Sequence, residues 1–340
     1  MKKIIFLLPD LSYGGAQRTI VNIANYLSKI PGYNITIIII NNKKKILLLH
    51  KNINLINLNS KKLSFGIVRI YRSIKQIRPN LVFSTTVHLN LLNILFKIFL
   101  IKSITKIIIR ESNPTFYRND INYLLKYLCR IIYPHADKII SLSEFVTSEL
   151  SSNINNIEKK IETISNPIEI NLIKNESQKL VKSDYYFEKS LFYICFCGRI
   201  TYQKNIELLI NIIKNIKIPN IKILVIGDGP EKDQAINLIK KEGEGFASKF
   251  IFLGYQKNPY YFIRKSNLFI LTSRWEGFGH VIVESLICDT PVVCFNTKGL
   301  NKNFVNNKEV FYYNSNDINY LSSKLEYLIQ NYENIFKNFN

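Results

Sequence analysis

The chain has 340 residues, 47% of them apolar, and carries 46 Lys and Arg against 25 Asp and Glu for a formal net charge of +21. That length holds two domains of ordinary size, and the apolar content excludes a disordered chain. The basic excess sits mostly in residues 1–170, with 24 Lys and Arg against 9 acids, but zinc-finger spacing, aromatic RNA-binding signatures and arginine-rich arms are absent, which argues against nucleic acid and for an anionic membrane surface or a phosphorylated substrate.

Lys3 to Leu8 reads as a strand: its short apolar run is followed at once by Pro9 and Asp10, which argues against a signal peptide. Gly15 to Ser28 follows as a helix and Asn34 to Ile40 as a second strand. Leu81 to Ser84 and Lys106 to Arg110 are short strands around a helix at Leu89 to Ile101. That most apolar stretch contains Lys97 and falls short of the roughly 18 to 20 residues needed to cross a bilayer. Tyr123 to Tyr133 is helical, Lys138 to Leu142 a strand, Glu144 to Ser151 the start of a helix, and Thr163 to Ile164 a strand that ends in Ser165-Asn166-Pro167.

Residues 1–168 are thus expected as a first domain and the polar stretch 169–190, with Lys179, Lys182, Asp184, Glu188 and Lys189, as a linker. A second alternating set fills 191–317: strands at Phe192 to Cys197, Lys222 to Ile226, Phe250 to Leu253, Leu268 to Leu271 and Val292 to Phe295, with helices at Ile206 to Ile216, Glu231 to Lys241, Pro259 to Lys265 and Val281 to Ile287. Residues 318–340 are expected as a last helix that packs back towards the first domain. Repeated strand-helix alternation predicts parallel sheets wound on both faces, with ligands beyond the strand C-termini.

The five cysteines, Cys129, Cys195, Cys197, Cys288 and Cys294, form no metal-like spacing, and buried reduced thiols fit a cytoplasmic protein. Chemistry concentrates in two strand-turn-helix segments. In Ser273-Arg274-Trp275-Glu276-Gly277-Phe278-Gly279-His280, followed by Glu284, a glycine-rich turn separates two carboxylates, one at a strand mouth and one a turn inside the next helix; free backbone N–H groups between them suit a phosphate or a sugar oxygen. In Cys197-Gly198-Arg199 through Lys204, two cations project from the turn that opens a helix, where they would hold a diphosphate and stabilise the charge it gains on leaving. Carboxylates for hydroxyls and cations for phosphates describe a nucleotide-sugar site.

These segments, with Tyr13-Gly14-Gly15-Ala16-Gln17-Arg18 and Gly227-Asp228-Gly229-Pro230, resemble the retaining glycosyltransferases of family 4. The resemblance implies an α/β fold of the GT-B type, two Rossmann-like domains facing across a cleft, with the acceptor bound by the first. It implies that Arg199 and Lys204 grip the donor diphosphate, Glu276 addresses the transferred sugar and Glu284 the ribose. Gly14, Gly15, Gly277, Phe278 and Gly279 complete the donor site. It implies further that a UDP-hexose or UDP-N-acetylhexosamine is used without metal or cofactor on a glycan or polyprenyl-diphosphate-linked acceptor, at the inner face of the plasma membrane. On the first domain, Glu111, in Arg110-Glu111-Ser112-Asn113, and His88 are further catalytic candidates. Many members carry a histidine where this chain has Arg110 and Glu111, and the Arg-Glu-Ser-Asn form resembles members that transfer N-acetylhexosamines. A nucleotide-sugar 2-epimerase of related architecture is the alternative. A dinucleotide oxidoreductase is disfavoured because no Gly-x-Gly-x-x-Gly follows a strand.

Overall fold

The computed structural model describes residues 1–12, 14–41, 47–60, 63–99, 105–181, 187–300 and 308–336. Tyr13, Lys182, Asp184, Leu100, Ile101 and residues 301–307 and 337–340, all within segments read above, lie outside the described residues. The chain divides into two compact units, Met1–Pro167 and Ile168–Asn340.

The first unit is built on a seven-stranded parallel sheet of β1 (Lys2–Leu8), β2 (Tyr33–Ile39), β3 (Ile53–Asn57), β4 (Leu81–Thr85), β5 (Lys106–Glu111), β6 (Lys138–Ser141) and β7 (Ile161–Thr163), in the order β3-β2-β1-β4-β5-β6-β7. Its central strands are apolar on both faces because both are covered. Ile5 and Leu7 of β1 enter one core layer, while Ile4, Phe6 and Leu8 enter the other. Helices Leu63–Ile77, Val87–Phe99 and Tyr123–Ile132 line the first of these layers through Ile70 and Ile74, through Leu89 to Phe96, and through Cys129 and Ile132. Asn122 caps the last of these helices by accepting from the Leu125 N–H at 2.8 Å, which fixes where it begins.

The second unit has six parallel strands, β8 (Phe192–Cys197), β9 (Ile221–Ile226), β10 (Phe250–Gly254), β11 (Leu268–Leu271), β12 (Val292–Phe295) and β13 (Val310–Tyr313), ordered β10-β9-β8-β11-β12-β13. Ile194 and Phe196 face helices Ile206–Lys214 and Ile318–Gln330, while Cys195 faces helices Tyr260–Lys265 and His280–Ile287. In each sheet the chain winds outward one way from the first strand and then the other way. The order reverses between β1 and β4 and between β8 and β11, and a crevice forms at such a reversal beyond the strand C-termini.

Two helices lie near the ends of the second unit. The stretch read as a linker carries a helix, Ile170–Gln178, whose buried Ile173 belongs to a core of the second unit and whose Glu176 carbonyl accepts from Asn258 Nδ2 at 2.7 Å. Its polar composition hides it, since one buried isoleucine and one buried serine anchor it. The last helix, Ile318–Gln330, buries Leu321, Leu325 and Leu328 in the second unit's core. Its apolar face packs on helix Ile206–Lys214, where Ser322 Oγ also donates to the Ile212 carbonyl at 3.0 Å.

In the first unit, Glu149 on helix Glu144–Asn153 ties down the loop after β5: its Oε1 accepts from the backbone N–H groups of Phe116 and of Tyr117, the latter at 2.6 Å. Burial pushes its carboxyl up to about 7, against the two N–H groups that pull it down. A folded-state value above the unfolded one means the folded chain binds the extra proton more tightly. The associated stability is complete below the ordinary carboxylate range and is lost as pH rises through about 7. Glu149→Gln, which mimics the neutral acid, should therefore match the parent at about pH 4 and be more stable at about pH 8. Urea melts at both pH values check this, and equal melts of the two proteins at pH 8 would remove the assignment.

Candidate active site

The turn after β8 and the turn after β11 meet at the reversal point of the second sheet. Lys204, near the end of the first turn, reaches Glu276 in the second, with Nζ 2.6 Å from Oε1. Both side chains are largely enclosed, at 17% and 9% exposure. Ser273, fully buried at the end of β11, donates its hydroxyl to the same Oε1 at 2.6 Å. The other oxygen, Oε2, makes no hydrogen bond among the described residues, which leaves it as an acceptor for a ligand.

Backbone pins hold the two turns together. Gln203 Nε2 donates to the Trp275 carbonyl at 3.0 Å, the Arg274 N–H donates to the Gln203 carbonyl at 2.8 Å, and the Thr272 hydroxyl donates to the Lys204 carbonyl at 3.1 Å. From the other side the Glu276 N–H donates to the Lys298 carbonyl at 2.9 Å. The Arg274 guanidinium stacks 4.3 Å from the centre of the Tyr202 ring, which leaves it turned to that ring. Glu276 is thus placed by short contacts from the turn at Gln203 and Lys204, from its own turn and from Lys298, not by its own turn alone.

The glycines have unequal reasons. Gly279 takes φ +81 at the start of helix His280–Ile287, a conformation other residues adopt only under strain. Gly227, at φ +128, packs so closely on the β8 turn that a Cβ would lie 2.0 Å from the Gly198 carbonyl oxygen. Gly229 does the same, 2.1 Å from that of Ile200. The Gly-Asp-Gly-Pro segment is therefore a buttress for the turn that carries Arg199 and Lys204.

The remaining sequence candidates are placed as follows. Arg199 is exposed on the β8 turn, and its guanidinium makes no ion pair among the described residues. Glu284 is buried on the helix after the glycine turn, with Oε1 accepting from Tyr260 OH at 3.3 Å. Gly277 lies between Glu276 and Phe278, and Phe278 is buried with its ring 5.0 Å from that of His280. In the first unit, Gly14 and Gly15 open helix Gly15–Leu27, which has neither a side-chain cap nor an acid in its first turn, so its leading N–H groups stay open to an anion. His88 is exposed near the start of helix Val87–Phe99.

Glu111 is fully enclosed. Its Oε1 accepts from Tyr133 OH and from Asn90 Nδ2 at 2.7 Å, and its Oε2 accepts from the Thr115 hydroxyl at 2.8 Å; burial raises its pKa against those three donors. Its neighbour Arg110, pointing to the opposite face of the strand, donates to Asn166 Oδ1 at 2.6 Å, and burial lowers its pKa to about 10. The pair thus braces the interior of the first unit. Ser273, Gln203 and Tyr260 escaped the sequence reading as site residues. Of these, only Ser273 carried a signal, as a hydroxyl three residues before Glu276 at the end of an apolar strand.

Two family models divide the chain between them: Glycosyltransferase Family 4 matches residues 13–172, and Glycosyl transferases group 1 matches residues 178–338. The N-acetylgalactosamine-N,N'-diacetylbacillosaminyl-diphospho-undecaprenol 4-alpha-N-acetylgalactosaminyltransferase of Campylobacter jejuni is 32% identical over 198 residues, 57% of this chain and 52% of that protein. The chain thus spans about half the length of that relative. The amylovoran biosynthesis glycosyltransferase AmsD of Erwinia amylovora is 26% identical over 345 residues, 100% of this chain and 93% of that protein. Among solved structures, HepE of Anabaena in complex with UDP and glucose superposes with a TM-score of 0.80 at 17% identity, covering 100% of this chain and 94% of the other. At that identity the likeness is one of fold. With both domain models matched in order and two parallel-sheet units of Rossmann type, the chain is a family 4-like glycosyltransferase of the GT-B fold.

Proposed function

We propose that this protein moves a hexose or N-acetylhexosamine from a UDP-linked donor, with retention and without a metal, onto a lipid-linked or surface-polysaccharide acceptor. The observation that carries the reading is the Lys204–Glu276 contact at the β8/β11 reversal, with one carboxylate oxygen still open. In this reading Oε2 of Glu276 accepts from a hydroxyl of the transferred sugar. Arg199 and Lys204 neutralise the diphosphate, and the N–H groups of Gly277 to Gly279 add fixed dipoles. The bond from the anomeric carbon to the diphosphate oxygen breaks while the acceptor hydroxyl attacks on the same face. The acceptor's proton passes to the departing phosphate. Glu284, steadied by Tyr260, is assigned to the ribose. We assign Glu111 a bracing role and leave His88, exposed near the start of its helix, as a catalytic candidate of the first unit.

The relatives support the donor and acceptor classes: an undecaprenol-linked glycan in one, amylovoran in another, and UDP in the solved structure. The basic surplus of residues 1–170 supports work at the inner face of the plasma membrane, and no helix among the described residues is long and apolar enough to cross it. A thermal-shift panel of UDP, GDP and ADP sugars tests the donor. A ligand that binds only the folded chain stabilises it by about 2.7 kcal/mol at a hundred times its Kd. UDP and one UDP-sugar should raise the melting temperature, and a response to GDP or ADP alone would replace the base. Release of UDP only after an acceptor is added separates transfer from 2-epimerisation.

A further inference from the structure

A cavity of about 320 Å³ opens on the first unit between helix Glu144–Asn153 and the loop that follows β5. Its helix wall is Phe145, Ser148, Glu149, Ser152 and Asn153, the spacing of one helical stripe, and its loop wall is Phe116 and Tyr117. That size stands at the lower end for small-ligand sites, about 300 to 1,000 Å³. The helix runs back from the C-terminal end of β6, and Asn153 in its last turn meets Arg130 near the end of helix Tyr123–Ile132. The cavity therefore lies along the flank of the sheet and not at the strand mouths.

Its walls are fixed before anything binds. Glu149 Oε1 accepts from the backbone N–H groups of Phe116 and Tyr117, and Lys126 Nζ donates to the Phe116 carbonyl at 2.7 Å, so the loop is pinned from two sides. Arg130 Nε donates to the Asn153 carbonyl at 3.3 Å, which ties the far end of the stripe. A site held in this way loses little freedom on binding. Within it the Tyr117 and Phe145 rings stand 5.8 Å apart at 75°, edge to face, and form an apolar corner. Ser148 and Ser152 are exposed one turn apart on the helix wall. Charge selects the ligand. An anion would meet the Glu149 carboxyl. An organic cation would be repelled by Lys126 and by the Arg130 guanidinium, which already covers the Phe116 ring at 5.2 Å from its centre. What remains is a neutral ligand with an apolar face and several hydroxyls. A sugar ring has both: its C–H groups meet the negative face of an aromatic ring, and its hydroxyls pair with serine hydroxyls and an asparagine amide.

We propose that this cavity is a carbohydrate site for one neutral sugar ring, stacked in the corner of Tyr117 and Phe145 and hydrogen-bonded by Ser148, Ser152 and Asn153. In a glycan-extending enzyme it holds a sugar of the acceptor chain, a sense that rests on the proposed function, whereas the site itself rests on the cavity. Saturation-transfer NMR on the full chain tests it with the methyl glycosides of glucose, galactose, N-acetylglucosamine and N-acetylgalactosamine, and with tetramethylammonium and inorganic phosphate as charged controls. At least one glycoside should bind with a Kd on the order of 1 mM, the strength expected of so small a ligand. Ser148→Trp with Ser152→Trp, at two exposed helix positions, fills the cavity and should weaken that binding at least tenfold. Tyr117→Ser should weaken it severalfold, while Tyr117→Phe keeps it. The UDP thermal shift should stay at the parent value in every variant, and its absence from the parent would count against the donor reading alone. Glycosides that do not bind, a filled variant that binds them like the parent, or a response only to tetramethylammonium or phosphate would each overturn the inference.

Discussion

Lys204→Ala should lower turnover by about a hundred- to a thousandfold, the usual cost of removing one fixed charge that stabilises a leaving group. On the proposed reading this follows because the Lys204 ammonium is held at 2.6 Å from Glu276, with both groups largely withdrawn from water, so its charge is poorly screened. The loss should fall mainly on kcat, because the diphosphate gains charge only as the sugar departs. Folding should suffer less, by about 1 to 3 kcal/mol, since Glu276 keeps the Ser273 hydroxyl and an open second oxygen. Steady-state rates alongside urea melts separate the two effects. Turnover within threefold of the parent would remove Lys204 from the chemistry.

Gly227→Ala should destabilise the second unit by about 3 kcal/mol or more, through backbone overlap and a strained φ acting together. The added carbon would lie 2.0 Å from the Gly198 carbonyl oxygen, and neither side of that contact is a side chain able to swing away. The Gly198 N–H is meanwhile held by the Ile226 carbonyl at 2.9 Å and the Gly227 N–H by the Gly254 carbonyl at 2.8 Å. Relief would have to come from moving the β8 turn, which displaces Arg199 and Lys204. A variant that still folds should therefore also lose UDP binding. Chemical denaturation and the UDP thermal shift measure the two parts, and a stability loss under 1 kcal/mol with normal UDP binding would show that the turn is not buttressed.

Much of the second unit was legible because its strands are short apolar runs, three of them closed by Gly198, Gly227 and Gly254, and such runs form buried parallel strands. Five of its six strands were predicted; the last, Val310–Tyr313, lies at the sheet edge, where a half-buried pattern carries a weaker signal. The same holds for Ile53–Asn57 at the edge of the first sheet, whose Asn54 and Asn57 interrupt its apolar run. The amphipathic helix Leu63–Ile77 was also passed over, although Ile70 and Ile74 stand one turn apart in its buried face. Helix Ile170–Gln178 was missed for the opposite reason, since its composition is that of a linker and only its docking makes it a helix.

At the site, the residue types and their order along the chain were readable, but their contacts were not. Arg110 and Glu111 illustrate the limit: a charged pair at a strand mouth suggests exposure to substrate, yet alternation along the strand sends the two side chains into opposite core layers, where Asn166, Asn90, Thr115 and Tyr133 engage them. No local pattern encodes partners such as Asn90, Tyr133 and Asn166, which lie 21, 22 and 56 residues away. The sequence by itself determined that there are two alternating α/β halves and which turns carry the cations and carboxylates, because hydrophobic periodicity and glycine placement are local. Only the tertiary structure decided that Lys204 and Ser273 share one oxygen of Glu276 and that the Gly-Asp-Gly-Pro turn buttresses its neighbour. Those facts depend on which segments pack together, and packing is set by the whole chain at once.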